Sequence, residues 1–164
     1  MTPPGTTFGT TSGTTRRGTA MPLTQISPVI LTLDDAATAT AAGVHKATEL
    51  GVPYTFTVLD GGGNTVLVTR MDGAALASID TSRAKARTSV YFGAATADLA
   101  PAVQSGAPLS SIQTATTFPL AFVAGGVPIT DARGVVVGAL GAGGGSPAQD
   151  HEVAAFAVQA LRRP

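Results

Sequence analysis

The stretch from Gly125 to Asp150, GGVPITDARGVVVGALGAGGGSPAQD, constrains the fold more than any other part of the chain. Eight of the twenty glycines fall between Gly125 and Gly145. They punctuate two strand-like runs and then lead into a C-terminal helix. That order, hairpin then glycine loop then helix N-terminus, brings bare backbone close to whatever packs or binds there. Ser146 as N-cap and Pro147 at the first helical position mark the start of that helix, which is expected to run to about Leu161.

The segments before it follow the same logic. Leu33, Ala36, Ala37, Thr40, Ala41, Val44 and Ala47 recur at helical spacing and predict a helix over Leu33 to Leu50. Thr32 is its N-cap, Asp34 and Asp35 occupy the first turn, and Gly51 and Pro53 end it. Two strands follow, Tyr54 to Leu59 and Thr65 to Arg70, joined by the hairpin loop Asp60-Gly61-Gly62-Gly63-Asn64. A second helix fits Ser78 to Phe92 and stops at Gly93. Residues 94–117 read as irregular or weakly helical, with Pro101 and Pro108 as breakers. Three more strands are expected at Phe118 to Val123, Val127 to Thr130 and Val135 to Leu140. Hairpin connections imply an antiparallel sheet, here of five strands, with helices packed against it: an α/β (α+β) domain.

Composition narrows the class. A length of 164 residues with 44% apolar and 12% charged residues suits one globular domain. Residues 1–20 hold eight threonines and four glycines and lack the apolar surface to fold alone. Residues 1–26 are therefore expected to be a disordered leader and residues 27–164 the single folded domain. The formal net charge is zero, so no long-range field draws in nucleic acid or an anionic membrane. No apolar run reaches the roughly 18 residues of a membrane span. The absence of cysteine excludes disulfides, thiolate catalysis and thiolate metal sites, and accords with a cytoplasmic location.

Four blocks then carry a family resemblance. VLDGGGNTVLVTRMDGA (58–74), SIDTSRAKARTSVYFG (78–93), GGVPITDARGVVVGALGAGGGSPAQD (125–150) and the alanine-rich first helix resemble the GlcG/HbpS-like, or haem-degrading, family over about residues 29–161. That family includes an extracellular haem-binding sensor partner, glycolate-operon proteins and domains fused to corrinoid adenosyltransferases. The resemblance implies a profilin-like sandwich with a five-stranded antiparallel sheet, and frequent homo-oligomers. It makes haem a candidate cofactor. Fold membership alone does not decide chemistry.

Each candidate site has a functional and a structural reading. The glycine loop Gly141 to Gly145 precedes a helix, so its N–H groups, those of Gly143, Gly144 and Gly145 above all, can hold a carboxylate or phosphate; equally, the glycines can serve close helix–sheet packing. The spacing does not make a dinucleotide fingerprint. Arg83, Lys85 and Arg87 place three of ten basic residues in five positions. Arg83 and Arg87 share a helix face and Lys85 points elsewhere. They can neutralise the carboxylates of a ligand, or pair internally with Asp72 and Asp80. His45, on the polar side of the first helix, is a candidate haem-iron ligand or a surface histidine beside Glu49. His151 lies in the first turn of the last helix, where the dipole disfavours its protonated form. Two histidines so far apart, without cysteine, give no His-rich metal cluster.

There is no G-x-S-x-G elbow and no P-loop. Asp72 and Lys85 remain as acid–base candidates, while Asp60 and Asp150 suit backbone bonding in loops. The leading reading is an oligomeric small-ligand-binding protein for haem, another tetrapyrrole or a small organic acid. The alternatives are an operon-encoded acid–base enzyme or an accessory protein of a partner enzyme.

Overall fold

The computed structural model describes residues 31–161. The leader expected at residues 1–26 lies outside the described residues, as does the start of the folded domain near residue 27. The elements are α1 (Leu33–Glu49), β1 (Thr55–Asp60), β2 (Thr65–Arg70), α2 (Ala77–Phe92), the short α3 (Thr96–Leu99), 3-10 turns at Ala100–Val103 and Ile112–Ala115, β3 (Gly126–Thr130), β4 (Val136–Gly143) and α4 (Pro147–Gln159). Both long helices on one side of the sheet start on capping boxes. Thr32 accepts from the Asp35 amide while Asp35 accepts from the Thr32 amide, each at 3.1 Å. Ser146 and Gln149 repeat the arrangement at the head of α4.

The four strands form one antiparallel sheet in the order β2-β1-β4-β3. Alternation along the two central strands sorts its faces. Tyr54, Phe56, Val58, Leu140 and Ala142 point to one face, where they pack with Ala36, Ala39 and Ala47 of α1 and Val153, Ala154, Ala157 and Val158 of α4. This is the hydrophobic core. Thr55 and Thr57 point to the other face, under α2. There the contacts are polar: the Thr55 and Ser78 hydroxyls are 2.6 Å apart and those of Thr57 and Ser82 2.8 Å.

Two expectations are corrected. The sheet has four strands among the described residues, not five, because Phe118–Val123 is not a strand. Its backbone is bound by side chains instead of by a ladder. Gln113 donates to the Leu120 carbonyl at 2.7 Å and accepts from its amide at 3.2 Å. The Ala121 amide donates to the Thr88 hydroxyl at 2.8 Å, and Thr96 donates to the Val123 carbonyl at 2.8 Å. Pro119 has no amide hydrogen to offer a neighbouring strand. The segment runs beside α2 as an anchored strap.

The second correction concerns the glycines. Strand β4 does not stop at Leu140 but continues through Gly141 and Gly143, so only Gly144 and Gly145 form the connection to α4. Those strand glycines let α2 descend onto the sheet. A Cβ on Gly141 would overlap the Ser82 carbonyl oxygen and stand 2.7 Å from the Ala86 nitrogen. Gly126 likewise passes beneath the Lys85 carbonyl with no room for a side chain.

Gly141→Ala is therefore expected to cost about 1–3 kcal/mol or more, since neither backbone can yield freely. Gly61→Ala is the matched control, because its nearest neighbour would be at an ordinary 3.4 Å; it is expected to stay within about 0.5 kcal/mol. Urea denaturation of both variants checks the difference. Equal stabilities would mean that α2 does not need the bare strand.

Candidate functional site

Lys85 and Asp150 come from α2 and α4, 65 positions apart, and meet beyond the end of β4. Both are nearly inaccessible, at 5% and 3% exposure. The Lys85 Nζ donates to Asp150 Oδ2 and, at 3.2 Å, to the Ala142 carbonyl. Asp150 Oδ1 accepts from the Gly145 amide at 2.9 Å. The carboxylate sits in the first turn of α4, where the helix dipole favours negative charge. Gly125 passes over the pair; a Cβ there would lie 2.7 Å from Asp150 Cβ and 3.0 Å from Lys85 Nζ.

A cavity of about 340 Å³ opens onto this pair. Ala75, Ala77, Ala121 and Val123 supply apolar walls, and Ser78, Thr81, Gly144 and Gly145 add hydroxyl and backbone groups. A larger space of about 470 Å³ lies between the β3–β4 turn and the end of α4, but Asp131 is its one charged lining residue. Asp131 is already committed: it accepts from Arg133 Nη2 at 2.8 Å and from the Val135 amide at 2.9 Å. These donors, Arg133 first, hold its carboxyl below the usual carboxylate range.

The structure brings some of the sequence candidates together and separates others. Lys85, Gly144 and Gly145 share the cavity. Gly143 is buried in β4, where a Cβ would press on Thr81 Oγ1 at 2.8 Å. Arg83 and Arg87 lie on the outer face of α2, away from the cavity. Arg87 stands over the Phe118 ring at 4.4 Å, and the Nε atoms of both arginines have no hydrogen-bond partner. Asp72 is exposed in the turn after β2 and takes no part in the cavity. His45 is on α1, across the sheet, with Nε2 3.2 Å from Glu49 Oε1. His151 follows Asp150, its Nδ1 buried and unpartnered. Among the described residues no group of three or more His, Asp or Glu side chains is placed to hold a metal ion.

The internal pairing of Lys85 is with Asp150, not with Asp72 or Asp80. Periodicity cannot reveal a partner 65 positions away; the only clue was that so few charges share the chain. Tyr54 was not singled out at all. It is fully buried, and its hydroxyl lies where a Cβ on Gly145 would fall, beside Asp150, without a hydrogen bond of good geometry. Burial, and then the negative charge of Asp150, push this phenol well above its ordinary value of 10.0.

Two outcomes follow from this geometry. Lys85→Met leaves a buried carboxylate without its cation and is expected to cost about 3–5 kcal/mol, whereas adding Asp150→Asn should return at least about 1 kcal/mol of the loss. Denaturant titration of the single and double variants measures it; no recovery would mean that the pair is not the source of the cost. For Tyr54 the folded state holds the proton more tightly than the unfolded chain. Its stabilising contribution is complete below pH 10 and is lost as the pH rises above that toward the folded-state value. In a Tyr91→Phe background, phenolate absorbance should appear only with unfolding; a rise in the folded protein near pH 10 would contradict it.

Comparisons with known proteins agree on one group. The chain is 40% identical over 113 residues to the 15.0 kDa protein of the dhaT-dhaS intergenic region of Citrobacter freundii, covering 69% of this chain and 79% of that protein. It is 32% identical over 137 residues to corrinoid adenosyltransferase PduO of Salmonella typhimurium, covering 84% of this chain but 40% of that longer protein. Among solved structures, protein ORFY of Klebsiella pneumoniae superposes with a TM-score of 0.79 at 34% identity, over 87% of this chain and 99% of ORFY. The PduOC:haem complex superposes at 0.77 and 32% identity, over 82% of this chain and 96% of that one. The model of the haem-degrading protein HbpS-like family matches residues 31–159, and the chain belongs to that family.

Proposed function

We propose that this protein binds a small organic ligand carrying an acidic group in the cavity between the start of α2 and the Gly144–Gly145 corner. The observation that carries the reading is a buried ion pair at the floor of a mainly apolar cavity. Lys85 spends donors on Ala142 and Asp150 and keeps one N–H uncommitted among the described residues. Thr81 and the backbone at Gly144 and Gly145 border the same space. A volume of about 340 Å³ is at the low end of ordinary ligand pockets, roughly 300–1,000 Å³. It suits a small acid rather than a fully enclosed macrocycle.

A second reading is haem or another tetrapyrrole, favoured by the similarity to the PduOC:haem complex. The cavity itself does not fit a haem held through its iron by histidine. No imidazole lines it, and His45 is across the sheet in contact with Glu49. A tetrapyrrole would have to rest against a wider surface than this cavity, as at a contact between subunits. Homo-oligomerisation belongs to the same reading, with the small residues Ala37 and Ala41 exposed on α1. An accessory role beside a partner enzyme accords with the partial overlap with the longer PduO proteins. A cytoplasmic setting accords with the lack of cysteine; no helix among the described residues is long and apolar enough to cross a membrane.

Calorimetry with a panel of mono- and dicarboxylic acids, beside a haem titration followed at the Soret band, separates the two readings. Val123 is 47% exposed at the rim, so Val123→Trp fills the cavity without disturbing the ion pair. It is expected to weaken acid binding at least about tenfold while leaving the melting temperature nearly unchanged. Undiminished acid binding would move the site elsewhere. Haem binding that survives Val123→Trp, with no acid bound by the wild type, would favour the second reading.

A further inference from the structure

The outer face of α2 carries charges that no ion pair among the described residues neutralises. Leu76, Asp80, Arg83, Ala84, Arg87 and Tyr91, spaced by three or four except for the adjacent Arg83 and Ala84, form one stripe about 22 Å long at 1.5 Å per residue. Leu76 and Tyr91 are 75% and 50% exposed. No ion pair joins Asp80, Arg83 or Arg87 to another described residue, although Lys85, one position off the stripe, is paired. A chain with 12% charged residues thus sets an acid and two guanidinium groups along one helix face without joining them to each other.

The order of these residues is self-complementary. Leu76 and Tyr91 lie symmetrically about a midpoint between Arg83 and Ala84, and so do Asp80 and Arg87. If a second copy of the helix lay antiparallel across the first, about a two-fold axis through that midpoint, each Asp80 would oppose Arg87 of the other copy. Each Leu76 would oppose Tyr91, and Arg83 and Ala84 would both stand at the crossing beside their own mates: the small Ala84 permits close approach, while the two Arg83 side chains, alike in charge, would have to splay away from the axis. Phe118, 53% exposed and beneath the Arg87 guanidinium, would widen the contact. We propose that the outer face of α2 is an isologous interface that receives α2 of a second copy of this chain, held by two reciprocal Asp80–Arg87 pairs. This interface deepens the oligomer reading and rests on it, independently of what the cavity binds. Ala77 and Thr81 flank the stripe and line the cavity, so the second copy would stand beside the cavity mouth.

Charge reversal tests the register. Asp80→Arg and Arg87→Asp should each oppose like charges across the axis and halve the number of chains per particle in light scattering. The double variant should restore the wild-type mass. The sharpest result is a mixture: Asp80→Arg protein opposes two arginines to the two aspartates of Arg87→Asp protein, so the two should pair with each other although neither pairs with itself. Rising salt should weaken the wild-type contact, because screening acts on the exposed Asp80 carboxylate in each pair. Circular dichroism accompanies each variant. Should a reversal unfold, Asp80→Asn and Arg87→Gln replace it, with association expected to weaken about two- to thirtyfold. A wild-type monomer at tens of micromolar overturns the oligomer reading and this interface together. An oligomer unchanged by either reversal, with no preferential pairing in the mixture, overturns the interface alone.

Discussion

The bare surface of β4 under α2 is the constraint on which the rest of the molecule depends. With a side chain at Gly141, α2 could not lie against the strand backbone, because Ser82 and Ala86 occupy that space. A helix seated this low leaves no room for large apolar residues between itself and the sheet. The inner face of α2 is accordingly made of Ser78, Ser82, Ala86 and Ser89, and its grip comes from hydroxyl pairs to Thr55 and Thr57. Each such bond contributes only about 0.5–1.5 kcal/mol net, but each demands one position of the helix. The opposite face of the sheet solves the usual problem in the usual way, with Tyr54, Phe56, Val58 and Leu140 buried against α1 and α4.

Depth also explains the ion pair. Only a helix this close to the sheet places Lys85 within reach of the Ala142 carbonyl and the head of α4. As a source of stability such a pair is weak, since desolvation offsets most of the attraction. What it supplies is position: the ammonium ties α2, β4 and α4 to one point, and the Gly145 amide completes the Asp150 carboxylate. The same crowding puts the Tyr54 hydroxyl beside that carboxylate, with its proton held by burial.

Much of the frame was legible in the residues. Thr32 was legible as the N-cap that starts α1, and β2 runs over the expected Thr65–Arg70 span. The failures were all of one kind. Phe118–Val123 has strand-like composition, but its hydrogen bonds go to Gln113, Thr88 and Thr96, which no local pattern predicts. Gly141–Gly143 read as a loop because glycine is poor in strands, whereas here the missing side chain is what the helix above requires. In the site, Lys85 with Gly144 and Gly145 could be grouped from sequence, but Asp150 as the partner and Arg87 as an outward residue could not. Both facts depend on how α2 is rotated on the sheet.

The walls of the cavity differ in what holds them. The α2 wall is seated on backbone and hydroxyl contacts that admit one register, and the α4 wall is tied down by the capping box and by Asp150. The third wall, Ala121 and Val123, belongs to the strap that joins no ladder. Its amides and carbonyls are held by single side chains from Thr88, Thr96 and Gln113. Opening the α2 or α4 wall would break the buried ion pair as well as hydrogen bonds, whereas opening the strap breaks part-buried hydrogen bonds and the packing of Leu120 and Phe122 but no ion pair. A segment outside the ladder and without an ion pair is less firmly held than the two helices beside it. Any widening of the cavity, for a ligand larger than its resting volume, therefore falls to the 118–123 strap, and α2 and α4 stay in place as the rigid part of the site.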